Sequence, residues 1–194
     1  MKVATILASA SLVHVQAQES TEGGFMQFGF CPAPPTMDRE EFFPEQYAGT
    51  WYEIVRDKDL WYEQDVECVT ATYTYKKDEW LYPVLVNNQN YKRAEDKITN
   101  TLLDEKNTES DLTYARATFD KLGNGKVKFW WYPEGNYRVL YTDYTTMAVV
   151  YGCDDWFFFN TQQAWILSRT PTLSNEKIQM GKNIIENKVN TLKK

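Results

Sequence analysis

The segment Gly49-Thr50-Trp51-Tyr52-Glu53-Ile54-Val55-Arg56 is the most informative stretch of this sequence. It is rich in aromatic and β-branched residues, which are typical of strands that lie half-buried in a sheet. A short helical turn is predicted just before it, with Asp38 as its cap, and this turn is expected to bury Phe42, Phe43 and Tyr47. The segment is therefore interpreted as the first strand of a β-rich domain.

Seven more runs of the same kind follow it, and turn-forming residues separate them. The second run is the clearest, because Val69, Ala71 and Tyr73 alternate with Thr70 and Thr72. The predicted strands span residues 49–56, 67–75, 80–88, 112–120, 126–132, 136–144, 146–153 and 158–169. Residues 90–110 are highly charged and are interpreted as a long loop.

A single helix is predicted after the last strand, with Ser174 as its N-cap. Its apolar stripe consists of Ile178, Gly181, Ile185 and Val189. Because Gly181 has no side chain, we expect it to allow close packing on the sheet. This order of elements indicates an all-β fold, an eight-stranded antiparallel up-and-down barrel with a C-terminal α-helix packed on the outside. A β-sandwich has similar strand spacing and remains an alternative at this point.

The N-terminal residues have the character of a signal peptide. Lys2 precedes a short run of apolar and small residues that ends near Ala17. We therefore expect residues 1–17 to be a signal peptide, residues 18–30 a flexible N-terminal arm and residues 31–194 the folded domain. Such a protein is secreted and folds in an oxidising, extracellular environment.

Charge and histidine content argue against several functional classes. The chain has 21 basic and 27 acidic residues; without Lys2, 20 basic and 27 acidic residues remain, which gives a net charge of −7. With no basic cluster, nucleic acid is not an expected partner. The only histidine, His14, lies in the expected signal peptide. A mature chain without histidine cannot form a Ser-His-Asp triad or a histidine-ligated metal site, so we predict no catalytic residues and no metal.

Three segments distinguish between the barrel and the sandwich. Gly49-Thr50-Trp51, Thr142-Asp143-Tyr144 and Arg169 follow one another at the first strand, at a late turn and at the end of the last strand. Together they resemble the three sequence motifs of the lipocalin family. Within it, Cys31-Pro32-Ala33-Pro34-Pro35 and Ala164-Trp165-Ile166-Leu167 resemble the branch of apolipoprotein D and the bilin-binding proteins. The resemblance extends from residue 31 to about residue 189.

The resemblance implies two structural features. Trp51 is expected to close one end of the barrel, with the guanidinium of Arg169 lying across its indole ring, an arrangement worth about 0.5–2 kcal/mol. These motif residues are expected to form the scaffold and not to touch a ligand. Cys31 and Cys153 are expected to form a disulfide that fastens the N-terminal segment to the barrel wall.

The resemblance also implies a ligand site inside the barrel, where Tyr73, Asn88 and Trp165 match pocket positions of the branch. Strand alternation adds further lumen-facing residues, namely Val69, Ala71, Val86, Phe129, Trp131, Tyr137 and Val139. Trp61, in the first long loop, is predicted to cover the open end. The high aromatic content, 15% of the residues, suits a pocket for a flat apolar ligand and equally suits a filled core.

Cys68 departs from the pattern of the branch, because the C-terminal partner that its counterpart has there is missing. Strand alternation places it opposite Tyr73, outside the lumen. Three fates remain open: a free thiol, an intermolecular disulfide, or chemistry at the sulfur. The last would be covalent ligand attachment or an isomerase reaction like that of lipocalin-type prostaglandin D synthase. The neighbouring Glu67, and the lack of an adjacent Lys or Arg, disfavour the thiolate that catalysis needs.

The sequence therefore predicts a secreted carrier that holds a lipid, a steroid-like molecule or a bilin such as biliverdin, and that requires no cofactor. The alternatives are an isomerase that uses Cys68, a pigment protein with a covalently attached ligand, and a structural or signalling protein whose pocket is vestigial. Exposed aromatic loop residues suggest contact with a membrane surface or a receptor. A homodimer, formed through Cys68, is a further predicted partner.

Overall fold

A computed structural model describes residues 26–32, 37, 41–57, 66–75, 84–92, 110–129 and 133–190 of the chain. For residues 66–68, 84–92, 110–113 and 190 it describes the backbone alone. The described strands are β1 (Met26–Phe28), β2 (Gly49–Arg56), β3 (Val66–Tyr75), β4 (Val84–Lys92), β5 (Ser110–Phe119), β6 (Asn124–Phe129), β7 (Gly135–Thr142), β8 (Met147–Trp156) and β9 (Phe159–Ser168). The helices are α1 (Pro44–Tyr47) and α2 (Asn175–Ile185), and α2 continues as a π-helix (Glu186–Asn190).

Strands β2 to β9 form a closed ring of antiparallel pairs. Each strand pairs with the next one along the chain, and β9 pairs with both β8 and β2. Sequential pairing that returns to the first strand is the topology of an up-and-down barrel, since a sandwich would leave two separate sheets. The predicted eight-stranded barrel is therefore confirmed.

The barrel has one apolar layer inside and another outside. The inner layer contains Trp51, Tyr73, Val139, Val150 and Leu167 among its buried side chains. The outer layer lies under α2 and the π-helix, and its buried side chains are Leu140, Met147, Val149, Tyr151, Cys153, Ile166 and Val189. Successive residues of β8 and β9 alternate between the two layers, which is why these strands are buried on both faces.

Helix α2 packs on the outside of the barrel as the sequence predicts. The Ser174 hydroxyl accepts a hydrogen bond from the backbone N–H of Lys177, so the predicted N-cap is present. A Cβ added to Gly181 would lie 2.7 Å from Cδ1 of Ile166, a distance that side-chain carbons do not tolerate. The missing side chain at this position allows the helix axis to approach β9.

The structure differs from the predicted elements at the N-terminal side. Residues 26–28 belong to the segment predicted as a flexible arm, yet they form β1, which pairs with the first residues of β9. The side-chain amide of Gln162 donates to Gln27 Oε1 at 3.0 Å, and that of Asn160 donates to the Gly29 carbonyl at 2.9 Å. These contacts order residues that have no strand pattern of their own.

The helix before the barrel is also shorter and later than expected. It begins at Pro44, whose fixed φ suits the first helical position, and Phe43 precedes it as a half-exposed N-cap. Phe42 and Tyr47 are buried as predicted, whereas Phe43 is not. Asp38 lies outside the described residues.

Strand β4 spans Val84–Lys92 instead of the predicted residues 80–88. It begins directly after Pro83, which has no N–H to contribute to a strand ladder. Its C-terminal half is polar and carries little strand signal, but its pairing with β3 and β5 extends through Lys92 and Tyr91 respectively. Tertiary pairing outweighs local propensity here.

Candidate ligand site in the barrel interior

Trp51 closes one end of the barrel, which we call the floor. Its indole is fully buried, and its Nε1–H donates to the Tyr47 carbonyl at 2.8 Å. The guanidinium carbon of Arg169 lies 3.7 Å from the centre of the Trp51 ring. The N–H groups of Arg169 donate to the backbone carbonyls of Gln46, Tyr47, Ala48, Thr50 and Tyr144 at 2.9–3.2 Å. One side chain thus ties α1, β2 and the β7–β8 turn together beneath the barrel.

The β7–β8 turn is held by the carboxylate of Asp143. It accepts hydrogen bonds from the backbone N–H groups of Thr145, Thr146 and Met147 and from the Thr146 hydroxyl. Partial burial alone would raise the pKa of Asp143, but these hydrogen bonds outweigh it and lower the pKa below its usual value. The turn also holds Tyr144 at a φ of 65°, so that its side chain covers the floor.

Three tyrosine hydroxyls meet above the floor, and we call them the tyrosine triad. Tyr47 rises from α1, and Tyr73 and Tyr137 extend from β3 and β7. The Tyr137 hydroxyl lies 2.9 Å from that of Tyr47 and 2.7 Å from that of Tyr73. Phe119 packs edge-on against Tyr137, with ring centres 5.7 Å apart. This end of the lumen is therefore lined by aromatic rings, and the three hydroxyl oxygens form a polar group at its centre.

Burial keeps the triad protonated at neutral pH. It raises the pKa of Tyr73 to about 12, in spite of the hydrogen bonds that it receives from its two neighbours. Burial also raises the pKa of Tyr47 and of Tyr137 well above the usual value, with smaller electrostatic contributions from the neighbouring tyrosines. All three groups are therefore neutral hydroxyls that can donate as well as accept.

The wall above the triad contains most of the residues predicted to face the lumen. Val69 and Val139 are buried, and Ala71, Phe129, Tyr137 and Trp165 pack against the inner layer. The backbones of Val86 and Asn88 lie in β4, paired with Tyr73 and Ala71. Trp61 and Trp131 lie outside the described residues. The members of the predicted set that belong to the inner layer are thus brought together, while contact with a ligand stays a prediction for every residue of the set.

A bulge in β2 brings an ion pair into the lumen that strand alternation does not predict. The register shifts between Glu53 and Val55, so that Arg56 pairs with Trp165, whose side chain belongs to the inner layer. Val55 packs in the outer layer instead. Arg56 Nη1 lies 2.9 Å from Glu53 Oε1, and the exposed fractions of the two side chains are 27% and 8%. Since the bulge adds one residue, it reverses the facing of every residue after Ile54.

The predicted disulfide is present between Cys31 and Cys153, with their Cα atoms 5.8 Å apart. It joins the end of the N-terminal segment to β8 on the outer wall. Cys68 lies in β3 where the register shifts between Glu67 and Thr70. Its side chain is outside the described set, so its placement outside the lumen stays a prediction.

Four exposed phenylalanines lie on one side of the barrel end opposite the floor, and we call them the rim cluster. Phe157 and Phe158 form the tip of the β8–β9 hairpin and are 93% and 70% exposed. Phe28 and Phe30, at and just after β1, are 91% and 77% exposed. The Gly29 N–H donates to the Phe158 carbonyl at 3.0 Å, which holds the two segments side by side.

No group of three or more His, Cys, Asp or Glu side chains among the described residues is arranged to hold a metal ion. No helix in the part of the chain that the structure describes is long and apolar enough to cross a membrane.

Comparison with known proteins agrees with this geometry. Residues 44–193 match the family model of the lipocalin-like domain. Apolipoprotein D of Macaca fascicularis is 31% identical over 168 residues, which cover 86% of this chain and 80% of the relative. The Lazarillo protein of Schistocerca americana is 29% identical over 172 residues, covering 81% and 72%.

Solved structures share the same fold. Apocrustacyanin A1 of lobster aligns with a TM-score of 0.63 at 16% identity, over 87% of each chain. Insecticyanin of the tobacco hornworm Manduca sexta aligns with a TM-score of 0.61 at 22% identity, over 85% of this chain and 82% of its own. With the family model matching most of the chain, this protein belongs to the lipocalin family.

Proposed function

We propose that this protein is a secreted carrier, without catalytic turnover, that holds a small hydrophobic molecule inside its barrel. The observation that carries the proposal is the sealed floor of Trp51 and Arg169 beneath an aromatic lumen. A barrel closed at one end can take up a ligand only through the other, and an apolar wall with a few polar groups is the usual lining of such sites. The relatedness to apolipoprotein D supports this proposal.

The proposed contacts are the residues of the lumen face: Val69, Ala71, Tyr73, Val86, Asn88, Phe129, Trp131, Tyr137, Val139 and Trp165, with Trp61 near the entrance. The cargo is a lipid, a steroid-like molecule or a bilin such as biliverdin. The many aromatic side chains favour a flat, conjugated cargo over a saturated chain. No cofactor is proposed beyond the cargo itself.

Secretion is supported by the disulfide between Cys31 and Cys153, because such bonds form and persist in oxidising compartments. The predicted signal peptide over residues 1–17 agrees with this location. For Cys68, the isomerase, covalent-pigment and dimer alternatives stay as stated from the sequence, since none of them gains a specific contact in the described residues.

The rim cluster supports a further element of the proposal, namely that cargo is exchanged at a neutral lipid surface. Large exposed aromatic groups at one end of a soluble barrel are typical of a contact surface. Phe157 has a φ of 51°, a conformation that costs a phenylalanine backbone energy and that glycine or asparagine would adopt more easily. The acidic chain disfavours an anionic membrane.

The carrier function is tested by two measurements. Protein isolated from its natural source is examined by visible absorption and by mass spectrometry of its organic extract; a single bound apolar compound is expected. Stripped protein is then titrated with that compound, and Trp165→Leu is expected to weaken binding at least about tenfold. Tyr114→Leu, which alters an exposed side chain on the outside of β5, is the matched control. Protein that carries no extractable compound, and binds none of the three cargo classes, would contradict the proposal.

A further inference from the structure

β1 continues the barrel wall past the point where β2 ends. β9 pairs with β2 through residues 165–168 and with β1 through residues 159–161, so β1 takes the place of β2 toward the open end. Met26 lies opposite Thr161, and Phe28 lies opposite Phe159. Opposed residues of an antiparallel pair have their side chains on the same face of the sheet. The two apolar side chains of β1 therefore share a face with Phe159 and Thr161.

That face is the one that lines the barrel interior. Residues 159, 161, 163 and 165 of β9 share it, because side chains alternate with a period of two and no register shift interrupts the pairing of β9 with β8. The last of these residues, Trp165, packs against the inner layer. Met26 and Phe28 thus lie on the lumen side of the wall.

Contacts on the opposite face of β1 support this orientation. Gln27, between Met26 and Phe28, accepts a hydrogen bond from the buried Gln162 amide at 3.0 Å. The side-chain oxygen of Gln162 in turn accepts from the Tyr151 hydroxyl at 3.0 Å, and Tyr151 belongs to the outer layer. Each face of β1 therefore continues the corresponding face of the barrel.

Three apolar residues on the lumen-side face, Met26, Phe28 and Phe159, form a surface that we call the ramp. Met26 and Phe28 are 61% and 91% exposed, although they lie on the face that lines the lumen further along β9. The ring of Phe159 packs edge-on against Phe158, with ring centres 5.8 Å apart, so the ramp adjoins the rim cluster. At its inner end the ramp meets the buried Thr161. The ramp thus leads from the rim cluster into the open end of the barrel.

The open end is asymmetric, because the side opposite the ramp is charged. In a ring of eight strands that pair in order, β4 and β5 lie across from β8 and β9. β4 ends and β5 begins at the open end, and the sequence that connects them, residues 93–109, has eight charged residues among seventeen. Charged groups are costly to move into lipid, whereas apolar side chains gain by leaving water. The side of the ramp therefore suits contact with an apolar surface better than the side of β4 and β5.

We propose that the ramp and the rim cluster together form a one-sided docking surface for neutral lipid, and that cargo passes over the ramp between the lipid and the lumen. This inference rests on the proposed carrier function, to which it adds the orientation of the barrel and the route of the cargo. The barrel leans on β1 and on the β8–β9 tip, and its charged side stays in water. An apolar cargo then moves along an apolar surface and does not cross water.

A lipid surface fits these residues better than a second copy of the chain does. Each side of a stable protein interface has about 20–30 residues, and its strongest contacts come from Trp, Tyr and Arg, which combine apolar area with hydrogen bonds. The docking surface has far fewer exposed side chains, and none of them has a hydrogen-bond donor. Two copies of so acidic a chain also repel each other. The exposed side chains are Met26, Phe28, Phe30, Phe157 and Phe158.

Hydrogen exchange with and without phosphatidylcholine vesicles tests the docking side, and it needs no cargo. Vesicles are expected to slow amide exchange at least about threefold at residues 26–30 and 156–159. Exchange at residues 90–92 and 110–113, across the open end, is expected to stay unchanged. Equal protection on both sides, or no protection at residues 26–30, would overturn the one-sided docking.

The route of the cargo is tested with the double variant Met26→Ser, Phe28→Ser. Three probes, cis-parinaric acid, dehydroergosterol and biliverdin, represent the proposed cargo classes, and the one that binds wild-type protein most tightly is used. The variant is expected to take up this probe from phosphatidylcholine vesicles at least about tenfold more slowly than wild-type protein. Its affinity for the same probe in vesicle-free buffer is expected to stay within about twofold, because both side chains lie outside the closed ring of strands.

The control is the double variant Tyr114→Ser, Met180→Ser, which removes exposed side chains of comparable size from β5 and α2. It is expected to change neither the protection by vesicles nor the rate of uptake. Uptake by the ramp variant at the wild-type rate would overturn the route, while the carrier function would survive. If none of the three probes binds wild-type protein in buffer, the carrier function fails and the route fails with it, whatever the vesicles do to hydrogen exchange.

Discussion

Arg169 and Trp51 are 118 positions apart in the chain, yet the guanidinium of one covers the indole of the other at 3.7 Å. The contact joins the last barrel strand to the first, which is the closing pair of the ring. Tyr47 of the tyrosine triad packs against Trp51 as well, with ring centres 5.1 Å apart.

Replacement of Arg169 by Met is expected to lower the free energy of unfolding by about 2–4 kcal/mol. It removes the cation–π contact and leaves several backbone carbonyls without their charged donor. Urea denaturation measures the loss. Lys121→Met, which removes an exposed charge that lies 3.9 Å from Glu41, is the control and is expected to change stability by less than about 0.5 kcal/mol. Equal effects of the two substitutions would contradict the role given to Arg169.

Single hydroxyl deletions in the triad are expected to have unequal effects. Tyr137→Phe breaks the two short hydrogen bonds of the triad, one to Tyr47 and one to Tyr73, so it should cost about 1–3 kcal/mol. Tyr47→Phe and Tyr73→Phe each break one bond and should cost about 1 kcal/mol or less. The triple phenylalanine variant (Tyr47→Phe, Tyr73→Phe, Tyr137→Phe) should be more stable than the sum of the single changes predicts, because it leaves no hydroxyl unpaired. Additive effects in a thermodynamic cycle would show that the three hydroxyls do not interact.

Stability is expected to fall at alkaline pH. The pKa of Tyr73 is raised by burial to about 12, against about 10 in an unfolded chain, so the folded state holds its proton longer. This contribution is fully present below pH 10 and is lost as the pH rises toward 12. The pKa values of Tyr47 and Tyr137 are shifted in the same direction. The urea concentration at the midpoint of unfolding, measured between about pH 8 and 11, should decline more steeply with pH for wild-type protein than for the triple phenylalanine variant. Parallel declines of the two proteins would contradict the idea that the buried tyrosines cause the loss of stability.

The disulfide is expected to support both the barrel and the order of β1. Cys31 and Cys153 are 122 positions apart, and opening so long a loop should cost about 3–5 kcal/mol on the chain-entropy model. The double variant Cys31→Ser, Cys153→Ser should also show faster hydrogen exchange at Met26–Phe28 than wild-type protein, whereas exchange in β8 should change only with global stability. Unchanged exchange in β1 would mean that the hydrogen bonds of Asn160 and Gln162 hold the strand without the disulfide.

The sequence predicts the barrel and its floor because these depend on patterns with a fixed period and on rare residue combinations. Alternation agrees with the inner-layer position of Ala71 and Tyr73, whereas Val69 lies within the register shift between Glu67 and Thr70. Strict alternation from Trp51 would leave Arg56 outside the lumen, but one extra residue in β2 pairs it with Trp165 of the inner layer. A bulge leaves no clear mark in a single sequence, because it is decided by pairing with neighbouring strands.

Residues outside the strand pattern are missed for a different reason. Tyr47 lies in a four-residue helix, and nothing local shows that its hydroxyl reaches the centre of the barrel. Met26–Phe28 form a strand only because β9 offers a free edge beyond the end of β2. Both depend on contacts across more than fifty positions of chain, which propensity and periodicity do not contain.

The rim cluster is expected to mediate binding to neutral lipid surfaces. The double variant Phe157→Ser, Phe158→Ser removes both aromatic rings of the β8–β9 tip. It should weaken binding to phosphatidylcholine vesicles at least about tenfold, because each aromatic ring that is buried in the lipid contributes about 1.5–3 kcal/mol to the binding free energy. Leu122→Ser removes an exposed apolar side chain at the floor end and should have no effect, because that end faces away from the lipid. Vesicle co-sedimentation measures both variants. If transfer of the cargo to vesicles is unchanged in the double variant, the lipid surface is not where the protein exchanges its ligand, and the rim phenylalanines then serve contact with another protein.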